Sequence, residues 1–147
     1  MDERFTCAIS NDSGCSGASI SRSNVGERIS DITKYFPYWF CDNYKKYVGN
    51  EKEMPFDQHF LLAAMAPRKV YVASAEEDSW ADPRTEFLAC VAASEVYEQL
   101  GLKGLFTPDR LPEVGEVLHG GNIGYHIRSG IHYLSREDWN KFMDFLD

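Results

Sequence analysis

The sequence has few positive charges and no long apolar run. Fifteen Lys and Arg residues stand against 23 Asp and Glu, which gives a net charge of −8. Because phosphate binding depends on clustered Lys and Arg, and no such cluster is present, we expect no nucleic-acid partner. No apolar run approaches the roughly 18 residues of a membrane span, so we expect no membrane partner.

We also expect no secretory leader in this sequence, and it shows no paired-cysteine motif. Met1–Arg4 leads directly into the strand-like FTCAIS, without the apolar segment of a signal peptide. Its four cysteines, Cys7, Cys15, Cys41 and Cys90, show no CxxC and no zinc spacing. Buried free thiols are therefore favoured, and a disulfide remains an open alternative if the parent protein is exported.

Apolar runs alternate with amphipathic stretches along the 147 residues, which suffice for one domain. Strands are predicted at Arg4–Ser10, Val70–Ala75 and Ile123–Arg128, and helices at 26–36, 38–47, 56–65, 83–100 and after the cap Ser135. This order is typical of an α/β fold with three parallel strands flanked by helices. Because so narrow a sheet would leave its edges exposed, we expect it to be an incomplete sheet.

Several side chains are predicted to be structural. Trp39 is predicted to be core, and the buried stripe of the last helix is predicted to contain Trp139 together with Phe142, Met143 and Leu146. His126 lies inside a strand pattern and is interpreted as structural. His119 stands beside two glycines and is interpreted as a solvated loop residue.

Three chemically useful residues follow the three predicted strands. Asp12 follows the first strand, Asp78 the second and His132 the third. In a parallel sheet, functional groups collect at the carboxyl ends of the strands. A histidine that takes a proton from a hydroxyl needs a carboxylate behind it, so these positions predict an acid–base pair. Either Asp78 or Asp12 could supply the acid, and Asp12 could instead be an Asx-turn residue.

A nucleophile is harder to find. Ser16, in Gly14-Cys15-Ser16-Gly17-Ala18, approaches the GxSxG pattern, but it lies six residues beyond the predicted strand end at Ser10. A nucleophile elbow places its serine at the strand-to-helix turn itself. Ser16 is therefore interpreted as a loop serine, with a catalytic role kept as the alternative.

Three stretches resemble one enzyme family. NDSGCSGASISR (11–22), PFDQHFLLAAMAPRKVYVASAEEDSWADP (55–83) and GYHIRSGIHYLSREDW (124–139) are similar to the C-terminal half of the glucuronoyl esterases, serine esterases of carbohydrate esterase family 15. The resemblance implies an α/β-hydrolase fold and cleavage of the ester between 4-O-methyl-glucuronic acid on xylan and lignin alcohols. It also implies no metal, no cofactor and a secreted or periplasmic parent protein.

The resemblance assigns roles to individual residues of this sequence. Asp78 matches the family's acid after the strand, Asp12 matches the site of its other acid, which is more often Glu, and His132 matches the catalytic histidine. Trp80 matches an aromatic residue near the sugar site. The substrate expected for the parent enzyme is therefore a glucuronoxylan-type carbohydrate ester.

One part of the family pattern is missing. The family's nucleophile lies in a Gly-Cys-Ser-Arg-x-Gly elbow that has no counterpart in these 147 residues. We therefore expect residues 1–147 to be the C-terminal portion of one α/β-hydrolase domain, without esterase activity on its own. The alternatives are an acetyl-xylan or other carbohydrate esterase, or a non-catalytic carbohydrate-binding remnant.

Overall fold

The computed structural model describes residues 2, 4–23 and 25–147. The strands are β1 (Cys7–Asn11), β2 (Lys69–Ala75), β3 (Val117–Leu118) and β4 (Ile123–Arg128). The helices are α1 (Ile29–Tyr35), α2 (Asp42–Lys45), α3 (Gln58–Ala63), α4 (Pro83–Gln99) and α5 (Arg136–Leu146), with a 3₁₀ turn at Glu51–Glu53. Among the described residues, no helix is long and apolar enough to cross a membrane.

The sheet has the strand order β1-β2-β4-β3. The three predicted strands are present and run parallel, with β2 between β1 and β4. The predicted α/β fold with three parallel strands is confirmed, and β3 adds a short antiparallel edge strand that the sequence did not indicate. Val117 pairs with His126 and Leu118 with Tyr125. Two residues are too few to show a strand periodicity in the sequence.

Helices α3 and α4 cover one face of the sheet with apolar side chains. Pro83 occupies the first turn of α4, and the preceding Asp82 caps it by accepting a hydrogen bond from the Thr85 amide. The buried cluster on this face includes Val70, Val72, Ile123 and Tyr125 from the sheet, Leu62 from α3, and Phe87, Cys90, Ala93 and Tyr97 from α4.

Helix α5 covers the opposite face. Ser135 and Asp138 form the predicted capping box, and Phe142 and Phe145 pack against Tyr71. The predicted buried stripe of α5 is confirmed at Phe142 and wrong at its other three positions, since Trp139 is 52% exposed and Met143 and Leu146 are also exposed. The buried positions are 138, 142 and 145, because the Asp138 carboxylate is hydrogen-bonded beneath the helix.

The predicted helices between β1 and β2 are shorter in the structure. Of the helix predicted over 38–47, only α2 forms, and Trp39 is 67% exposed and stacks on Phe36 rather than entering the core. Helix α3 begins after Asp57 and not at the predicted Phe56, because the Asp57 carboxylate accepts hydrogen bonds from the amides of Gln58 and Ser21. This cap fixes the start of α3.

Candidate functional site

The loops that follow the three parallel strands meet at one edge of the sheet. Asp12 comes directly after β1 with a φ of 45°, Asp78 lies in the turn after β2, and His132 lies in the loop after β4. One ligand atom from each of these side chains lies within 4.8 Å of the other two. The structure therefore brings together all three residues that the sequence singled out.

His132 and Asp78 form a hydrogen-bonded pair. The distance from His132 Nδ1 to Asp78 Oδ2 is 2.7 Å, the Asp78 side chain is 5% exposed and that of His132 is 68% exposed. Asp78 is held in a tight turn, since its Oδ1 accepts a hydrogen bond from the Ala81 amide at 3.2 Å. Because a carboxylate accepts, Nδ1 carries the proton, and Nε2 of the neutral ring is left to act as a base.

The Asp12 carboxylate is hydrogen-bonded to groups other than His132. Its Oδ2 accepts hydrogen bonds from Arg128 Nη2 at 2.9 Å and from the Tyr133 amide at 3.3 Å. Its Oδ1 is buried and has no hydrogen-bond partner among the described residues. Burial raises the pKa of Asp12, and the Arg128 charge opposes that rise. Of the two candidate acids, Asp78 contacts the His132 ring and Asp12 contacts Arg128.

Beneath the Asp12 turn lies a buried glutamate that the sequence did not single out. Glu86 of α4 accepts hydrogen bonds from the amides of Ser13 and Gly14 at 2.9 and 3.0 Å and from Ser74 Oγ at 2.6 Å. Burial raises the pKa of Glu86 to about 7. A glutamate within the buried face of α4 was the available signal, because Glu is rarely fully buried without partners.

A chain of polar side chains runs behind the site on the α5 face. The buried Arg128 donates from Nε to Asp138, which also lies 2.8 Å from His126 Nε2. His126 Nδ1 lies 2.9 Å from the Tyr71 hydroxyl, which lies 2.7 Å from His119 Nε2. Burial lowers the pKa of His126 to about 4, so its ring is neutral at pH 7. The structural role predicted for His126 is confirmed. His119 lies in a loop, as predicted, but it is half-buried and hydrogen-bonded to Tyr71.

Ser16 does not complete a triad. Its Oγ lies 2.6 Å from the Tyr44 hydroxyl, and within the described ranges no serine, threonine or cysteine is hydrogen-bonded to His132. The described cysteines are all free thiols, with Cys15 and Cys90 buried. Burial raises the pKa of Cys15 to about 11, which makes it a poor nucleophile.

The same three site residues offer metal-ligand atoms, but their surroundings disfavour a cation. Asp78 Oδ2 is engaged by His132 Nδ1, and Asp12 Oδ2 lies 2.9 Å from the buried Arg128 guanidinium. A fixed positive charge beside a candidate ligand oxygen repels a metal ion. The arrangement therefore fits an acid–base pair better than a metal centre.

Trp80 stands close to the pair along the chain. It follows Asp78 by two residues and is 54% exposed. Its carbonyl accepts a hydrogen bond from the Glu27 amide at 2.8 Å, which ties this turn to the segment before α1. Contact between Trp80 and a sugar stays a prediction.

Comparisons with known proteins point to one family. Residues 1–101 match the family described as glucuronyl esterase of fungi. "Carbohydrate esterase MZ0003", from an unknown prokaryotic organism, is 44% identical over 147 residues, which is 100% of this chain and 34% of that protein. The 4-O-methyl-glucuronoyl methylesterase 1 of Wolfiporia cocos is 30% identical over 109 residues, covering 69% of this chain and 27% of that protein.

A solved structure gives the same result in three dimensions. The glucuronoyl esterase from Solibacter usitatus superposes with a TM-score of 0.89 at 50% identity and covers 98% of this chain and 36% of that one. The chain therefore spans about a third of the length of the relatives that it matches.

Proposed function

The chain belongs to the glucuronoyl esterase family of α/β-hydrolases, and from this premise we propose that it supplies the acid and the base of a serine esterase acting on glucuronoyl esters. The observation that carries the proposal is the 2.7 Å contact between His132 Nδ1 and Asp78 Oδ2, made by a largely exposed imidazole. A buried carboxylate behind an exposed ring is the arrangement that a general base requires.

In the proposed reaction a serine attacks the ester carbonyl. His132 Nε2 takes the serine proton and returns it to the oxygen of the leaving alcohol, which leaves an acyl-enzyme that water then hydrolyses. Asp78 holds the ring in the required tautomer and stabilises the imidazolium that forms. We assign the orienting role to Asp78 because Asp12 Oδ2 is already engaged by Arg128.

The serine itself is proposed to lie outside residues 1–147. This agrees with Ser16 being hydrogen-bonded to Tyr44 and with the short span of the chain relative to its relatives. On this proposal, the 147 residues are the C-terminal portion of one α/β-hydrolase domain from an exported enzyme. The isolated chain then has no esterase activity of its own.

The substrate is proposed to be a 4-O-methyl-glucuronoyl ester of plant xylan. The names of the Wolfiporia cocos and Solibacter usitatus relatives support this class of ester. The exposed Trp80 ring, two residues from the acid, offers an apolar platform on which a sugar ring can stack. No cofactor is needed for this chemistry, since His132 alone takes up and returns the proton.

A chimera tests the proposed function directly. Residues 1–147 replace the matching third of the Solibacter usitatus enzyme, and hydrolysis of methyl 4-O-methyl-glucuronate is measured. We expect turnover, with His132→Ala lowering kcat by at least about 10³-fold because the general base is lost. His59→Gln, a histidine change on α3, serves as the matched control and should leave kcat unchanged.

Three results would count against the proposal. A folded chimera without turnover, or one in which His132→Ala remains fully active, would contradict the assignment of the base. Turnover by the isolated chain that His132→Ala abolishes would place the nucleophile within these residues. Preference of the chimera for an acetyl ester would favour the alternative of an acetyl-xylan esterase.

A further inference from the structure

We propose that Arg128 is the positioning residue that shapes the loop around His132 and keeps Asp12 away from the imidazole. The proposal rests on the proposed role of His132, but it concerns geometry that is measurable without substrate. Arg128 is the last residue of β4, and its side chain is 2% exposed. Its guanidinium therefore lies at the carboxyl end of the sheet, beneath the acid–base pair.

The guanidinium binds the backbone on both sides of His132. Nη1 donates to the carbonyls of Ser129 at 3.2 Å and Ile131 at 3.1 Å, and Nη2 donates to the carbonyl of Tyr133. The residues immediately before and after the histidine are thus held by one planar group. Their carbonyls point towards Arg128, so the loop curves around the guanidinium.

The same loop is tied to the turn that carries Asp78. The Glu77 amide donates to the carbonyl of Gly130 at 3.0 Å, and the Glu76 amide donates to the carbonyl of Arg128 at 2.9 Å. Gly130 has a φ of 97°, a backbone conformation that glycine adopts without strain. Holding the histidine loop in its curve therefore also holds its distance from the acid.

Every donor of the guanidinium has a partner. A guanidinium has five N–H groups in a rigid fork, one on Nε and two on each terminal nitrogen. Besides the three carbonyls, Nε donates to Asp138 at 3.0 Å and Nη2 donates to Asp12 at 2.9 Å. The Tyr133 ring covers the guanidinium, with its centroid 4.1 Å from Cζ. A lysine has three donors and no fork, so it cannot replace this set of contacts.

The contact with Asp12 also separates the two acids. Asp12 and Asp78 each place a carboxylate oxygen within 4.8 Å of a His132 ring nitrogen, so both carboxyl groups lie close to the ring. Arg128 pairs with Asp12 Oδ2, which leaves Asp78 as the acceptor for the ring. Arg128 thus acts on the acid–base pair without touching His132.

The tautomer of the His132 ring is the quantity that tests this proposal. In the ¹⁵N-labelled chain at about pH 8, NMR should show a single His132 tautomer with the proton on Nδ1. Arg128→Lys should convert this signature into a mixture with the Nε2–H tautomer, because the loop loses its curve. Arg22→Lys is the matched control, since Arg22 also pairs with a buried carboxylate and a carbonyl, those of Asp57 and Met54.

If Arg128 had only a structural role, folded Arg128→Lys would show a lower unfolding midpoint and an unchanged His132 tautomer. That result would overturn the proposal. If Arg128→Lys does not fold, Tyr133→Ala decides. Tyr133 is 49% exposed, and its removal lets water compete for the guanidinium donors. A new Nε2–H population then supports the proposal, and an unchanged tautomer overturns it. An inactive chimera would leave both outcomes untouched, so the two proposals fail separately.

Discussion

The two faces of the sheet differ in what they bury. On the face under α4, β2 and β4 present Val70, Val72 and Tyr125 to an apolar cluster. On the face under α5, the intervening residues of the same strands include Tyr71 and His126, which belong to a continuous chain of hydrogen bonds. Because strand side chains alternate between faces, one pair of strands serves both purposes.

The α4 face mainly stabilises the fold, and the α5 face mainly positions side chains. Apolar burial on the α4 face is non-directional and contributes free energy roughly in proportion to area. Buried polar groups on the α5 face lose their hydrogen bonds to water and replace them with directional hydrogen bonds within the protein. Their burial therefore adds little net stability. These hydrogen bonds instead fix the positions of the side chains, as far as Arg128 and the loop of His132.

The largest expected loss of stability is on the apolar face. Phe87→Ala removes a ring that is 3% exposed and packs edge-on against Tyr125 at 5.3 Å. The expected cost is about 3–5 kcal/mol in the free energy of unfolding, measured by chemical denaturation. Val91→Ala, on the same helix and 39% exposed, should cost less than about 1 kcal/mol. Equal losses for the two variants would show that α4 is not packed as described.

On the polar face the corresponding change is Asp138→Asn. It removes the negative charge that faces Arg128 Nε and His126 Nε2, and so leaves a buried cation with one fewer charged partner. The expected cost is about 3 kcal/mol. Glu137→Gln, the adjacent exposed acid paired with Lys141, should change stability by less than about 0.5 kcal/mol. A neutral Asp138→Asn would contradict the account of this face.

The free energy of unfolding is expected to depend on pH through Glu86, the buried acid of the α4 face. Burial raises the pKa of Glu86 to about 7 in the folded chain, from an ordinary value of 4.5, so protonation of Glu86 favours folding. The stability that it contributes is fully present below about pH 4.5 and is lost as the pH rises through about 7, by up to about 3 kcal/mol.

Glu86→Gln, which mimics the protonated acid, isolates this effect. Denaturation curves at several pH values should show the wild-type chain losing stability relative to Glu86→Gln across that window. The burial of His126 lowers its pKa, so its contribution has the opposite sign and is lost as the pH falls from about 6.5 through about 4. Parallel pH profiles for wild type and Glu86→Gln would refute the assignment.

A smaller effect is expected at Gly124 of β4. A Cβ at this position would lie 2.5 Å from Cδ2 of Tyr71 and 2.9 Å from Cε2 of Phe145, on the α5 face. Both rings are packed, so Gly124→Ala should cost about 1–3 kcal/mol through overpacking. The thermal midpoint of the variant measures the cost, and an unchanged midpoint would show that α5 sits loosely on the sheet.

Local patterns in the sequence predicted much of this architecture. The β-branched run of β2, the proline after Asp82 and the Ser135–Asp138 capping box each mark an element by contacts within a few residues. The meeting of Asp12, Asp78 and His132 was also predictable, because parallel strands place their carboxyl ends together. These inferences need only neighbouring residues and one rule of topology.

Long-range hydrogen bonds were not predictable in this way. The phase of α5 depends on Asp138 reaching His126 and Arg128, and the half-buried state of His119 depends on Tyr71, 48 positions earlier. In the sequence Arg128 is only a charge at the end of an apolar run. Three of its partners, Ser129, Ile131 and Tyr133, lie in the loop that directly follows it. The other two are Asp12, which follows β1, and Asp138 of α5, and no local periodicity encodes their approach.

The pairing of His132 with Asp78 is the central claim, and one comparison tests it most directly. The ¹⁵N tautomer signature of His132 is recorded in the wild-type chain, in Asp78→Asn and in Asp12→Asn. We predict that Asp78→Asn loses the exclusive Nδ1–H tautomer, because an amide no longer fixes the ring, and that Asp12→Asn retains it. Loss of the signature in Asp12→Asn, with retention in Asp78→Asn, would contradict the account.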